Sequence, residues 1–272
     1  MSNTDNSHYL KNREMTAEIN KCKYTYCHFI SPEYQRYEGI LEGSYKDIFS
    51  KAVDEDGVEF QPHIEFQPHI VKAVKRYAKN KRNETGQVVA VEDVDLSDVV
   101  FRVMTDEHIP TDETGEPIKL NFPAFKHYIV TDLEKEEVKE VGKSHHSDEN
   151  TFSMTHGKTS NKLGEIYLLM VNRYGGRYNW RGYSYLDDMK GQALTQLAKV
   201  GLMFNEAKGT DHPNPFAYYT TIIKRCFSKV IKDEKRVSEI RDSLLMDADR
   251  DPSNAKQLEL ESAYRNRYSE DD

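Results

Sequence analysis

The stretch 214–236 combines aromatic and cationic side chains in a pattern suited to binding single-stranded nucleic acid. It reads NPFAYYTTIIKRCFSKVIKDEKR, and helical spacing gathers its apolar residues on one face and most of its cations on the other. Aromatic rings stack on unpaired bases with about 1–3 kcal/mol per base, and lysines and arginines neutralise backbone phosphates. The candidate phosphate contacts are Lys224, Arg225, Lys229 and Lys232. The alternative is a solvated charged face without a ligand.

Amphipathic helices are predicted to position this stretch. Asn214 and Pro215 suit the N-cap and the first turn of a helix over 214–236. Apolar residues at spacings of three and four predict further helices over 162–174 and 186–204, and a short helix over 9–23. Tyr218 falls on the more polar side of the last helix and is a candidate for stacking. Trp180, between the first two of these stripes, is interpreted as a cap on the helical core.

The block 24–155 has a different character. Valine-rich alternation predicts strands at about 87–91 and 98–104, a further strand is expected within 118–141, and the polar run 142–161 is interpreted as a flexible linker. A hexapeptide, EFQPHI, occurs twice in tandem at 59–70. We predict a mainly α C-terminal half and a middle that is α+β or partly disordered. The predicted segments are 1–23, 24–155, 156–241 and an acidic tail, 242–272.

Composition excludes several classes of protein. The formal net charge of −8 over 272 residues is unfavourable for unselective coating of nucleic acid, so any DNA contact must be local. Three cysteines do not form a disulfide framework. Neither a signal peptide nor an apolar run long enough for a membrane span is recognised. The expectation is a cytoplasmic protein with reduced thiols.

The helical segments resemble a known family of transcription factors. The run NWRGYSYLDDMKGQALTQLAKVGLMFNEAKGTDHPNPFAYYTTIIKRCFSKVIKDEKR is similar to the core-binding and promoter-melting region of bacterial sigma factors, and more closely to the late-transcription sigma factor of T-even-type bacteriophages. The segment YLKNREMTAEINKCK resembles the first helix of that family. The resemblance covers about 9–23 and 162–240, with the intervening block as an insertion of unknown role.

The resemblance implies that the protein binds polymerase and DNA and does not itself catalyse a reaction. The chain would bind the host core RNA polymerase and would recognise and melt an AT-rich −10-like promoter element, in the cytoplasm of an infected bacterium. Tyr219 would stack on a flipped promoter base, with a core position as the alternative, and Phe216 would be a structural residue of the core. Asp187, Asp188 and Gln192 would contact the clamp helices of the large catalytic subunit. A phage sliding clamp or co-activator is a further expected partner.

Other classes of function stay open. One is a polymerase-binding or free-standing DNA-binding regulator that does not melt promoters, and another is a structural adaptor. A third is a nuclease-like enzyme in 24–155, for which scattered histidines are the candidate feature. Cys22, Cys27 and His28 suggest a zinc site, but their spacing does not match the usual paired zinc ligands, so we predict no metal site and no cofactor. Phosphate loops, nucleophile elbows and HExxH motifs are not recognised.

Overall fold

The computed structural model describes residues 11–50, 67–116, 118–208 and 213–268. The helices within these ranges are α1 (Asn12–Tyr24), α2 (Pro68–Thr85), α3 (Asn161–Gly175), α4 (Leu186–Val200), α5 (Pro215–Asp247) and α6 (Asn254–Tyr268). The strands are β1 (Cys27–Phe29), β2 (Gly39–Glu42), β3 (Val100–Met104), β4 (Lys126–Asp132) and β5 (Glu137–Ser144). None of the helices in the described part of the chain is long and apolar enough to cross a membrane.

Four of the helices occur where apolar periodicity predicts them. The stripes of α1, α3, α4 and α5 place Met15, Leu163, Met189 and Phe227 at 0% exposure. The start of α5 is capped as expected, because the backbone N–H of Ala217 donates to Oδ1 of Asn214 over 2.9 Å. The helix continues to Asp247, beyond the predicted end at 236.

Five strands form one mixed sheet in the order β1-β5-β4-β3-β2. All neighbouring strands are antiparallel except β2 and β3, which are parallel and pair Gly39 with Phe101. Helix α2 covers one face of the sheet, where its buried residues join those of the strands in a hydrophobic core. This core contains Leu41, Ile48, Phe49, Ile70, Ala73, Val74, Tyr77, Val99, Phe101, Val103, Tyr128 and Val130.

The predicted fold class is wrong, because the mixed sheet is a large part of the fold. The strand predicted near 98–104 exists as β3, but residues 87–90 have no regular structure and a 3-10 turn follows at Val91–Asp93. The linker predicted over 142–161 is also wrong at its start. There β5 runs to Ser144, and His145 and His146 are buried. Polar composition concealed these residues because their side chains are satisfied by hydrogen bonds inside the fold.

The chain divides into two compact units. The first unit comprises 1–167 and 198–218, which include α1, α2 and the whole sheet. The second comprises 168–197 and 219–272. The predicted segment boundaries stay a prediction. Residues 59–66, with the first copy of the hexapeptide and the start of the second, lie outside the described residues.

Candidate nucleic-acid interface

The four predicted phosphate contacts lie together on one exposed side of α5. They border a shallow open groove along the helix that is also lined by Thr221, Ser228 and Asp233. All four cations are exposed. A helix rises 1.5 Å per residue, so the eight steps from Lys224 to Lys232 span about 12 Å. That length is enough to face about four phosphates of one strand at a rise of about 3.4 Å.

The opposite side of α5 fixes the helix in the second unit. Phe227 is fully buried, and its ring centre lies 5.1 Å from those of Tyr174 and Trp180. Both contacts are edge-to-face, an arrangement that stabilises aromatic pairs by about 0.5–1.5 kcal/mol beyond their burial. The interpretation of Trp180 as a cap on the helical core is confirmed. This aromatic packing buries the opposite side of α5 and leaves the four cations exposed.

The aromatic residues at the start of α5 are placed differently from expectation. Tyr219 has 0% exposure, so contact with a base would require its ring to leave the core. Tyr218 is half-buried, and its hydroxyl donates to the backbone oxygen of Val200 over 3.0 Å while its ring packs on Phe204. Phe216 is 44% exposed, so its interpretation as a core residue is wrong. Base contact by the two tyrosines stays a prediction.

Tyr178, which was not among the residues predicted to stack on a base, is more exposed than Tyr218 and Tyr219. Tyr178 lies in the 3-10 turn Tyr178–Trp180 of the second unit and is 88% exposed. Arg177 and Arg181 flank it and are also exposed, although the Arg177 guanidinium lies 4.6 Å from the ring centre of Tyr174. In the sequence, Tyr178 could have been found from its position between two arginines, after a glycine pair and outside the apolar stripes.

The predicted polymerase contacts lie on the polar side of α4. Asp187 and Asp188 occupy its first turn, where carboxylates are favoured by the helix dipole. Both are exposed, as is Gln192 one turn beyond Asp188. The Lys190 ammonium lies 3.1 Å from Oδ1 of Asp187, a surface pair of small energetic weight. The buried side of α4 consists of Met189, Ala193 and Leu197, and contact of its polar side with polymerase stays a prediction.

Three histidines of the first unit, His108, His145 and His146, form hydrogen bonds with Ser144. The Ser144 hydroxyl oxygen lies 3.0 Å from Nδ1 of His145 and 3.3 Å from Nε2 of His108. Nε2 of His145 is 2.9 Å from Oδ1 of Asn121. Ser144 and His145 both have 0% exposure, which denies a substrate access to this Ser–His–Asn array.

Burial also sets the charge of this cluster. It lowers the pKa of His108 to about 4, aided by the nearby charge of Lys126, and the pKa of His145 to about 3. Both rings are therefore neutral at neutral pH. Across the described ranges there is no group of three or more histidine, cysteine, aspartate or glutamate side chains placed to hold a metal ion.

A second buried network of the first unit contains charged groups. Glu206 lies between Lys23 and Arg102, with N–O distances of 3.7 and 3.6 Å. Asn20 donates to Oε2 of Glu206 over 3.1 Å, and the hydroxyl of Tyr37 donates to the same oxygen. Burial alone would raise the pKa of Glu206, but Arg102 and Lys23 hold it below its usual range. Burial lowers the pKa of Lys23 to about 8 although Glu206 opposes that shift.

Comparison with known proteins gives no relative. No family model matches the chain, and no curated protein or solved structure shows significant similarity to it. The resemblance to sigma factors therefore depends on the quoted sequence motifs alone.

Proposed function

We propose that the protein is a sigma-type transcription factor that binds core RNA polymerase and holds the melted strand of an AT-rich promoter element. The second unit would make the DNA contact, and the polymerase would carry out the synthesis. The motif resemblance suggests a phage late-transcription factor, acting in the cytoplasm of an infected bacterium.

The observation that carries this proposal is the exposed basic side of α5. Lys224, Arg225, Lys229 and Lys232 lie within three helical turns, and Asp233 is the one carboxylate among the residues that line their groove. In a protein with net charge −8, such a local concentration of positive charge is suited to a polyanion that must be bound at one place.

Two features support a single-stranded target and a protein partner. Tyr178 has both faces largely free for stacking, and Arg177 and Arg181 beside it are suited to neighbouring phosphates. On α4, the exposed Asp187, Asp188 and Gln192 form an acidic polar patch suited to a basic protein surface. A free-standing DNA-binding regulator would use the first feature without the second.

The test is binding of a fluorescent single-stranded T-rich oligonucleotide by the full chain. The variant K224Q/R225Q/K229Q/K232Q should show no measurable binding at 100 mM salt, because up to four phosphate contacts disappear. The slope of log K against log salt should fall by about 3, from a coefficient of about 0.7 per phosphate on single strands.

The matched control is a variant with the same number of basic groups removed from exposed positions of the first unit, K75Q/K79Q/R82Q on α2 together with K139Q on β5. It should bind the oligonucleotide as the unmodified protein does. Equal losses in both variants would mean that overall charge, and not the α5 groove, drives binding. A quadruple α5 variant with normal affinity and normal salt slope would refute the proposed interface.

A further inference from the structure

The C-terminal half of α5 carries an exposed apolar stripe. Its residues Val237, Ile240 and Leu244 are 61%, 51% and 63% exposed, and their spacing of three and four residues places them on one side of the helix. Single exposed apolar residues are common on protein surfaces, but a contiguous apolar surface marks an interaction site. Apolar residues at this spacing are typical of a surface that packs against another helix.

The stripe continues the side of α5 that is covered in the second unit. Steps of three and four residues lead from the buried Ile223 and Cys226, through the half-buried Val230, to Val237. Within this seven-residue pattern, Asp233 is the polar position that separates the covered part from the exposed part. The same side of the helix is therefore packed in its first half and exposed in its second half.

Helix α6 is fixed to another side of α5. Asp242 is 4% exposed there, and it accepts from the backbone N–H of Ser253 over 3.0 Å and from the Ser253 hydroxyl over 2.7 Å. At about 100° per residue, Asp242 lies about 140° around the helix from Val237. The start of α6 thus leaves the stripe uncovered.

We propose that this stripe packs against the same stripe of a second copy of the chain, as a short antiparallel pair of α5 helices. Val237 packs against Ile240 of the partner subunit, and Ile240 packs against Val237 of the partner subunit. A two-fold axis makes such a surface complementary to itself. The association goes beyond the proposed function and does not depend on it.

The charges beside the stripe favour the antiparallel arrangement. Glu234 and Arg241 lie on one flank of it, and both are exposed. In an antiparallel pair the same flanks meet, so Glu234 lies beside Arg241 of the partner subunit, twice by symmetry. A parallel pair would instead bring Arg236 close to Arg241 of the partner subunit, and like charges repel. Arg241 contacts Ser238 and Asp242 through Nη2, at 3.1 and 3.8 Å, so its other N–H groups are available among the described residues.

The short stripe predicts a weak dimer. Stable interfaces bury about 800 Å² on each partner, more than three apolar residues and their flanking charges supply. We therefore expect a monomer–dimer equilibrium at micromolar or higher concentration. The experiment is sedimentation equilibrium of the full chain over about 1–200 μM, without DNA or polymerase. The weight-average mass should rise with concentration towards twice the mass of the monomer.

Val237→Gln tests the apolar contact. It should weaken the association by at least about tenfold, because the symmetric contact loses this valine twice. Val88→Gln is the matched control, since Val88 is 77% exposed in the first unit, and it should leave the association unchanged. Glutamine is a good helix former, so the helix content measured by circular dichroism should be the same in both variants.

Charge reversal tests the antiparallel arrangement. Glu234→Arg and Arg241→Glu should each weaken the association by about two- to thirtyfold, because each places like charges together at both symmetric positions. The double variant E234R/R241E restores opposite charges and should dimerise as the unmodified protein does.

Three results would overturn the proposal. The first is an unmodified protein that stays monomeric over the whole concentration range. The second is an equal loss of association for Val237→Gln and Val88→Gln, which would indicate unselective self-association. The third is a double reversal that is as weak as the single reversals, which would exclude the antiparallel pair. Because the samples contain neither DNA nor polymerase, the outcome is independent of the sigma-type function.

Discussion

One set of lysines and arginines in each unit is used in an opposite way to the other. In the first unit, Lys23 and Arg102 are 2% and 1% exposed and lie within 4 Å of the Glu206 carboxylate. In the second unit, the four cations of the α5 groove are all exposed. The same residue types are therefore part of the folded core in one unit and available for a ligand in the other.

This difference indicates which charged residues belong to a binding surface and which stabilise the folded core. A buried charge loses its hydration, so it must be paired and hydrogen-bonded, and removal of one partner is costly. An exposed cation keeps its hydration and contributes little to stability, so its concentration on one helix side needs another explanation. Variants should consequently affect the stability of the first unit and the binding of the second.

The largest effect is expected for Glu206→Ala. The substitution leaves Lys23 and Arg102 buried without their carboxylate, and loss of one partner of a buried ion pair typically costs about 3–5 kcal/mol. The free energy of unfolding from urea denaturation should fall by that amount. Glu14→Gln is the control, because its pairing with Lys11 is on the surface and should be worth less than about 1 kcal/mol. Similar losses for both substitutions would remove the contrast between buried and exposed charges.

A smaller effect, confined to binding, is expected for Tyr178→Ala. Loss of one stacked base corresponds to about 1–3 kcal/mol, or about a 5- to 150-fold weaker affinity for single-stranded DNA. Tyr178→Phe keeps the ring and should bind nearly as well as the unmodified protein. Because the side chain is 88% exposed, the thermal unfolding midpoint should be unchanged. An affinity that is insensitive to Tyr178→Ala would remove this residue from the interface.

A third effect is a dependence of stability on pH that originates in the first unit. The pKa values of His108 and His145 in the fold, about 4 and about 3, lie below the ordinary value of 6.5. The unfolded chain then binds more protons than the folded chain as pH falls from 6.5, so the free energy of unfolding should decrease. The measurement is urea denaturation at pH 6.5 and 5.0, a window largely above the titration of ordinary carboxylates.

The matched variant for this prediction is His108→Gln with His145→Asn. Asparagine suits position 145 because the backbone φ there is 58°, in the left-handed region. The variant should show a smaller decrease in unfolding free energy between the two pH values. A decrease of unchanged size would place the source of the pH dependence elsewhere.

The sequence predicts the helical elements well and the sheet poorly. Helices α3, α4 and α5 have long stripes at 3.6-residue periodicity, and the cations of α5 can be assigned to its exposed side from spacing alone. The buried polar groups could not be predicted in the same way. Arg102 looks like an exposed residue of a strand, yet it contacts Asn20, Tyr24 and Glu206, which are 78 to 104 positions away in the chain.

The same dependence on tertiary packing explains why Tyr178, and not Tyr218 or Tyr219, is the more exposed candidate for stacking. Tyr218 and Tyr219 are adjacent in a helix that is aromatic and basic, and their different burial depends on which elements pack against its start. Tyr178 lies outside every apolar stripe, and a short turn gives no periodic signal. Its exposure follows from tertiary packing, in which Trp180 takes the inward position against Phe227.

The most direct test of the sigma-type function is copurification with a bacterial core RNA polymerase, followed by permanganate footprinting on an AT-rich late promoter. The prediction is a stable complex in which thymines of the −10-like element become reactive, and in which K224Q/R225Q/K229Q/K232Q joins the polymerase without making them reactive. Binding to the polymerase without reactive thymines would indicate a regulator that does not melt DNA. Failure to bind the polymerase would contradict the proposed function.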